Sequence, residues 1–162
     1  MGADLYIHQL YDPTKERYKP LFEKAVMQRD SFPRDSKEWK VAQRKVWKYF
    51  DLMNSKGYFR DSYSTANVLR TLGLSWWRNV IPLLNKKNEL EGKNLKKFRK
   101  MVANAKQRLP TKAELQKDGA RGKRSGANRL KMWRKYYIRK RARLIAFLDE
   151  AIKRNHSIHC SL

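Results

Sequence analysis

The chain has 162 residues, a net charge of +24 and 41% apolar residues, 19 of them aromatic, which fits one domain with a real core and excludes a chain disordered throughout. No apolar run approaches the ~20 residues of a membrane span, and the opening MGADLYIHQLYD lacks the cationic start and apolar run of a signal peptide. Tyr6 stands where the myristoylation pattern needs Ser or Thr, and the lone Cys160 has no internal disulfide partner. The expectation is a cytoplasmic protein with no membrane partner.

In chain order, Leu5 and Ile7 alternate with Tyr6 and His8 as in a short strand. Pro20 can open a helix, since its missing N–H costs nothing in the first position; Leu21, Phe22, Ala25 and Val26 then share a face. Asp35 with Glu38 reads as a capping box. It leads into a helix carrying Trp39, Ala42, Val46, Phe50 and Met53 at spacings of three and four, closed by Gly57. A short helix over 65–72 stops at Gly73. Ser75 can cap a further helix, Trp76–Leu84, which Pro82 shortens or kinks. Asn85–Gly92 reads as a polar turn. Asn94 caps a helix with Leu95, Phe98, Met101, Val102 and Ala105 inward, and Pro110–Glu114 forms a second capping box. Residues 119–126, with three glycines and a serine among cations, predict a loop.

The segment Asn128–Arg154 has no Pro or Gly and predicts a long helix, roughly 40 Å at 1.5 Å per residue. At about 100° per residue, Leu130, Trp133, Tyr137, Leu144, Leu148 and Ala151 gather on one side. Lys131, Lys135, Arg139 and Arg143 gather on the other, with Tyr136 at the edge of the basic arc. Trp133 and Tyr137 are therefore core residues, and Tyr136 is the one placed to stack on a base. The C-terminal Ser157–Leu162 alternates again, with Ile158, Cys160 and Leu162 together, so the two ends of the chain can pair as a small two-stranded tie. The fold expected is mainly α: about six helices around one core, in a single domain spanning 1–162, ending in a long basic helix.

The charge is uneven. Residues 1–92 hold 17 Lys/Arg and 11 Asp/Glu, whereas residues 93–162 hold 22 and 4. The surplus is densest over 93–143 and points to a polyanion. Like charges four apart on a helix repel by a few tenths of a kcal/mol per pair. Lys131, Lys135, Arg139 and Arg143 make three such pairs, Arg134, Lys140 and Arg141 add to them, and no acid lies between Asp118 and Asp149. Lys96 and Lys97 lie on the polar face of the preceding helix, and Arg121, Lys123 and Arg124 on the loop. These cations, with Tyr136, are the candidate nucleic-acid contacts. They form no base-reading pattern, so the expectation is largely sequence-independent contact with the phosphate backbone of DNA or RNA. The alternative is a protein-interaction factor, docking its basic face on an acidic or RNA-binding surface of a host protein.

Catalytic chemistry is weakly signposted. The carboxylates are few and scattered, Asp61 reads as bonded to its own turn, and no phosphate-binding glycine loop or nucleophile elbow is present. His8, His156, His159 and Cys160 have no standard zinc spacing. No enzyme, cofactor or metal is expected.

The opening Met1–Ile7, the central GYFRDSY at 57–63 with LGLSWW at 72–77, and the closing Cys160-Ser-Leu162 resemble segments of small uncharacterised bacterial and phage proteins. The resemblance covers about a fifth of the chain and implies a bacterial or phage-infected setting, with no activity attached. Trp76 and Trp77 are adjacent, about 100° apart on a helix. One is expected in the core, the other under the 57–63 turn or in a partner pocket.

Overall fold

A computed structural model describes residues 2–62, 67–109, 111, 113 and 126–161. The protein is mainly helical with one small sheet. The chain divides into two compact units: Tyr6–Tyr58, and the residues on either side of it.

The Tyr6–Tyr58 unit is a helical hairpin. Helix α1 spans His8–Asp30 and α2 spans Lys37–Met53. Ala25 on α1 and Ala42 and Val46 on α2 are buried, and such small residues let the two backbones approach. Helix α1 starts twelve residues before the expected start at Pro20 and runs through both Pro13 and Pro20. His8 therefore belongs to a helix, where its ring faces Asp12 at 3.2 Å, and not to the preceding strand. The cap of α2 is Ser36, whose side chain accepts the Trp39 N–H at 3.0 Å, and not Asp35, which takes φ +67°. Leu21 and Phe50, expected inward, are 43% and 37% exposed.

Gly57 does not close α2, which ends at Met53 with Asn54 as its cap. Its role is close backbone contact. Its carbonyl accepts the Ile7 N–H at 2.8 Å. A Cβ there would lie 2.6 Å from the Tyr11 backbone nitrogen and 2.7 Å from the Ile7 oxygen, on a residue at φ +65°. Only glycine fits both constraints.

In the other unit, strands β1 (Gly2–Tyr6), β2 (Tyr58–Ser62), β3 (Glu89–Leu90) and β4 (Ile158–Ser161) form a sheet in the order β2-β1-β4-β3. The ends of the chain are tied as neighbours, within four strands and not two. Ala3 and Leu5 on β1 and Ile158 and Cys160 on β4 alternate into the core. Strand β3 lies within the segment expected to be a plain turn. It pairs antiparallel with β4, Leu90 opposite Ile158, both fully buried. Asn85 shapes that turn by accepting the Lys87 and Glu89 N–H groups on its side-chain oxygen.

Helix α3 (Val68–Thr71) is shorter than expected and stops at Gly73, which takes φ +67°. The Leu74 N–H reaches back to the Leu69 carbonyl at 2.9 Å, closing a Schellman-type end. Next come one turn of π-helix, Trp76–Val80, and a 3₁₀ turn, Ile81–Leu83, in place of the single expected helix. Ser75 caps with its backbone: its N–H donates to the Asn79 side chain at 2.8 Å. Helix α4 spans Gly92–Asn104 and α5 spans Gly126–Lys153. Asn94 does not cap α4; its amide donates to the Leu83 carbonyl at 2.8 Å. Leu95, Phe98 and Val102 are buried as expected. The 119–125 loop and most of Pro110–Glu114 lie outside the described residues.

Candidate nucleic-acid interface

Helix α5 buries Tyr137, Leu144, Leu148 and Ala151, with Leu130 and Trp133 half-buried on the same side. The apolar stripe is where helical spacing puts it. On the opposite side Lys131, Lys135, Arg139 and Arg143 are all exposed. The described ion pairs on and just beyond α5 are Lys140–Asp61, Arg99–Asp149 and Arg154–Glu150. None involves the four exposed cations, so among the described residues their mutual repulsion has no carboxylate to relieve it.

The exposed face is not purely cationic. Met132 is 54% and Ile138 52% exposed, both flanking the row. Tyr136 stands among them, half-exposed, with its ring edge-on to Trp133 at 5.6 Å and to Tyr137 at 5.3 Å. The Lys140 ammonium lies 2.9 Å from the Tyr136 hydroxyl. Tyr136 is therefore a fixed ring at the edge of the basic arc, as the angular reading placed it.

Lys140 and Arg141 are not part of the exposed row. Lys140 reaches inward to Asp61, Nζ to Oδ1 at 3.0 Å. Asp61 is fully buried on β2 and also accepts the Val68 N–H at 3.1 Å and the Trp76 indole N–H at 3.3 Å. One carboxylate thus caps the start of α3, holds the π-turn and neutralises a cation of α5. Its reach goes well beyond its own turn. Trp76 is the core member of the tryptophan pair, whereas Trp77 is 63% exposed; Tyr63, part of the turn expected to cover it, lies outside the described residues. Arg141 donates through one terminal nitrogen to the carbonyls of Val102, Ala103 and Ala105 at 3.2, 2.9 and 3.0 Å. These are groups that the end of α4 leaves unpaired. Neither role can be read from helical spacing, because the partners come from distant parts of the chain.

Helix α4 runs antiparallel to the C-terminal half of α5. Arg99 bridges Asp149 through two bonds of 2.7 and 3.0 Å, and the end of α4 lies by Arg141. The hydrogen bonds from Arg99 hold the Asp149 carboxyl below its usual range, against a smaller opposing effect of burial. Lys96 and Lys97 are exposed, in the half of α4 nearer the C-terminal end of α5. They are displaced along the axis from Lys131, Lys135 and Arg139, so the structure brings the four-residue row together and sets Lys96 and Lys97 apart from it. Arg121, Lys123 and Arg124 lie outside the described residues.

No group of three His, Cys, Asp or Glu side chains able to hold a metal occurs among the described residues. Burial pushes the Cys160 thiol up to about 12, so thiolate, the form that ligates and attacks, is scarce at neutral pH. No described helix is long and apolar enough to cross a membrane. No family model, curated protein or solved structure matches the chain.

Proposed function

We propose that the protein binds nucleic acid without catalysis, gripping the phosphate backbone with little regard for sequence, in the cytoplasm of a bacterial or phage-infected cell. One observation carries this reading: four exposed cations in a row on a helix whose opposite side is core, with no described carboxylate beside them. Phosphates remove the repulsion that the fold leaves in place. The Arg121-Gly-Lys-Arg124 loop and Lys96 and Lys97 extend the contact. Side chains that approach phosphates as point charges position a duplex without reading it.

Titrating a labelled duplex at several salt concentrations tests the proposal. If about six phosphates are neutralised, log K falls against log salt with a slope of about −5. Absence of binding at low salt refutes it.

Met132 and Ile138 favour a second reading, a protein-interaction factor such as an inhibitor of a host enzyme or of a nucleic-acid-targeting defence system. Apolar residues set among cations suit an acidic protein surface better than phosphates alone. Pull-down from bacterial lysate with and without nuclease separates the two: a partner retained after nuclease treatment supports the interaction factor.

A further inference from the structure

The helical hairpin carries a second basic face, independent of α5. Lys37, Lys40, Arg44 and Lys48 stand on α2 at spacings of three and four, within an arc of about 80°. All four are exposed. The described ion pairs within the hairpin are His8–Asp12, Lys19–Glu23 and Arg29–Asp30, and none uses this row. Asp51 is the single acid on the same arc, one turn beyond Lys48.

Beside the row stands Trp47, 57% exposed and backed edge-on by Phe50 at 5.9 Å. Phe50 in turn meets Phe22 of α1 at 6.3 Å. The indole is thus supported on one side and open on the other. An exposed tryptophan in a row of unpaired cations has the two parts of a single-strand site: a flat surface for a base and charges for the flanking phosphates.

The same ingredients occur in helices that lie on membranes, but their arrangement here differs. An interfacial helix needs a continuous apolar face to sink into the bilayer. On α2 that face, Ala42 and Val46, is already buried. Of the exposed apolar residues of α2, Phe50 packs on Phe22, and the more exposed Val41 and Trp47 lie about 120° apart with the cations between them. A duplex offers the phosphates but hides its base faces within the stack, leaving Trp47 nothing to cover.

We propose that this face of α2 binds single-stranded nucleic acid, with Trp47 stacked on an unpaired base and Lys40, Arg44 and Lys48 on the neighbouring phosphates. The proposal rests on the nucleic-acid reading above and adds to it a second site and a strand class.

Fluorescence anisotropy with a labelled thymidine oligonucleotide and a labelled duplex of equal length tests it, with wild type, Trp47→Ala and Trp47→Phe at one low salt concentration. Stacking is worth ~1–3 kcal/mol per base, so Trp47→Ala should weaken single-strand binding roughly 5- to 150-fold. Duplex binding should stay within about two-fold, and Trp47→Phe should recover much of the loss. Single-strand affinity unchanged in Trp47→Ala, while wild type binds both probes, overturns this inference and leaves the nucleic-acid reading intact. An equal loss on duplex overturns the strand class. Wild type binding neither probe refutes both proposals. Vesicles of phosphatidylserine and phosphatidylcholine serve as the third probe: tighter capture on them than on the oligonucleotide, lost in Trp47→Ala, assigns the face to a membrane surface and overturns the proposal. Circular dichroism melts of the variants should match wild type, since the side chain is mostly in solvent.

Discussion

Arg139, Lys140 and Arg141 are consecutive cations on one helix, and only the first stays in water. Lys140 turns in to a buried carboxylate, Arg141 to the carbonyl end of α4, and Arg139 joins a row with no described acid beside it. The difference teaches that a basic run is not one feature. Cations with a specific acceptor hold the fold together. Cations left exposed with like neighbours are a small cost to the fold, and they are where an external anion gains most. Sorting them requires the tertiary partners, since composition treats all three alike.

The contrast is sharpest at Asp61. Asp61→Asn leaves Lys140 largely buried beside a neutral amide, and Lys140→Met leaves a buried anion with, among the described residues, two N–H donors. Each should cost about 3–5 kcal/mol in denaturant unfolding. The double variant should cost clearly less than the sum, because each single change strands a charge. Additive losses would break the idea that the pair acts as a unit. Arg141→Met comes next. It removes the donor to three carbonyls at the end of α4 and should cost about 1–3 kcal/mol. Protection of the last α4 amides in hydrogen exchange should fall more than protection at Leu95 or Phe98.

The exposed Arg99–Asp149 bridge should contribute less, and only where the carboxyl is ionised. Asp149 titrates lower in the folded chain than in the unfolded one. Its contribution is therefore fully present above the ordinary carboxylate range and lost as pH falls through the lowered folded value. An Arg99→Ala variant should differ slightly from wild type in denaturant midpoint at pH 7, and the difference should shrink as pH falls below the ordinary carboxylate range. Added salt should shrink the neutral-pH difference. A difference that persists in acid would mean the bridge acts through packing. The smallest stability change belongs to the exposed row. Lys135→Glu, Arg139→Glu and Arg143→Glu together should leave unfolding within about 0.5 kcal/mol of wild type, or slightly improve it. The same variant should lower the salt slope of nucleic-acid binding by about 3. Loss of the cooperative melt would show that the row is structural after all.

Much of this frame follows from spacing. The core stripe Tyr137, Leu144, Leu148 and Ala151 and the opposing row Lys131, Lys135, Arg139 and Arg143 come straight from 3.6-residue periodicity, because a long helix packed on one side has only one way to face. The strands at the two ends show their alternation for the same reason. Local chemistry was less decisive. Asn94 and Asp35 have the right residue types for caps, yet the cap positions fall on Glu91 and on Ser36, whereas Ser75 holds its expected cap position without a side-chain cap bond. Asn and Asp serve turns as readily as helix starts. Pro20 suggested a boundary that the packing of α1 against α2 overrides. The roles of Asp61, Lys140 and Arg141 had no local signal, as each depends on a partner that only folding brings near. Trp47 stands outside the stripe Trp39, Ala42, Val46, Phe50 and Met53, and spacing assigns it no role; its exposure is the finding.

The sheet order β2-β1-β4-β3 has a consequence for how the protein is made. The strands β1 and β4 are neighbours, and among the described strands the short β3 pairs with β4 alone. During synthesis β1 can meet β2 early, but neither β1 nor β3 can complete its pairing until residues 158–161 emerge. Leu5 and Leu90, which end fully buried, must wait for those residues. Contacts between such distant residues close slowly. Residues 158–161 act as the latch of the larger unit, and the nascent chain stays unlatched until they have emerged.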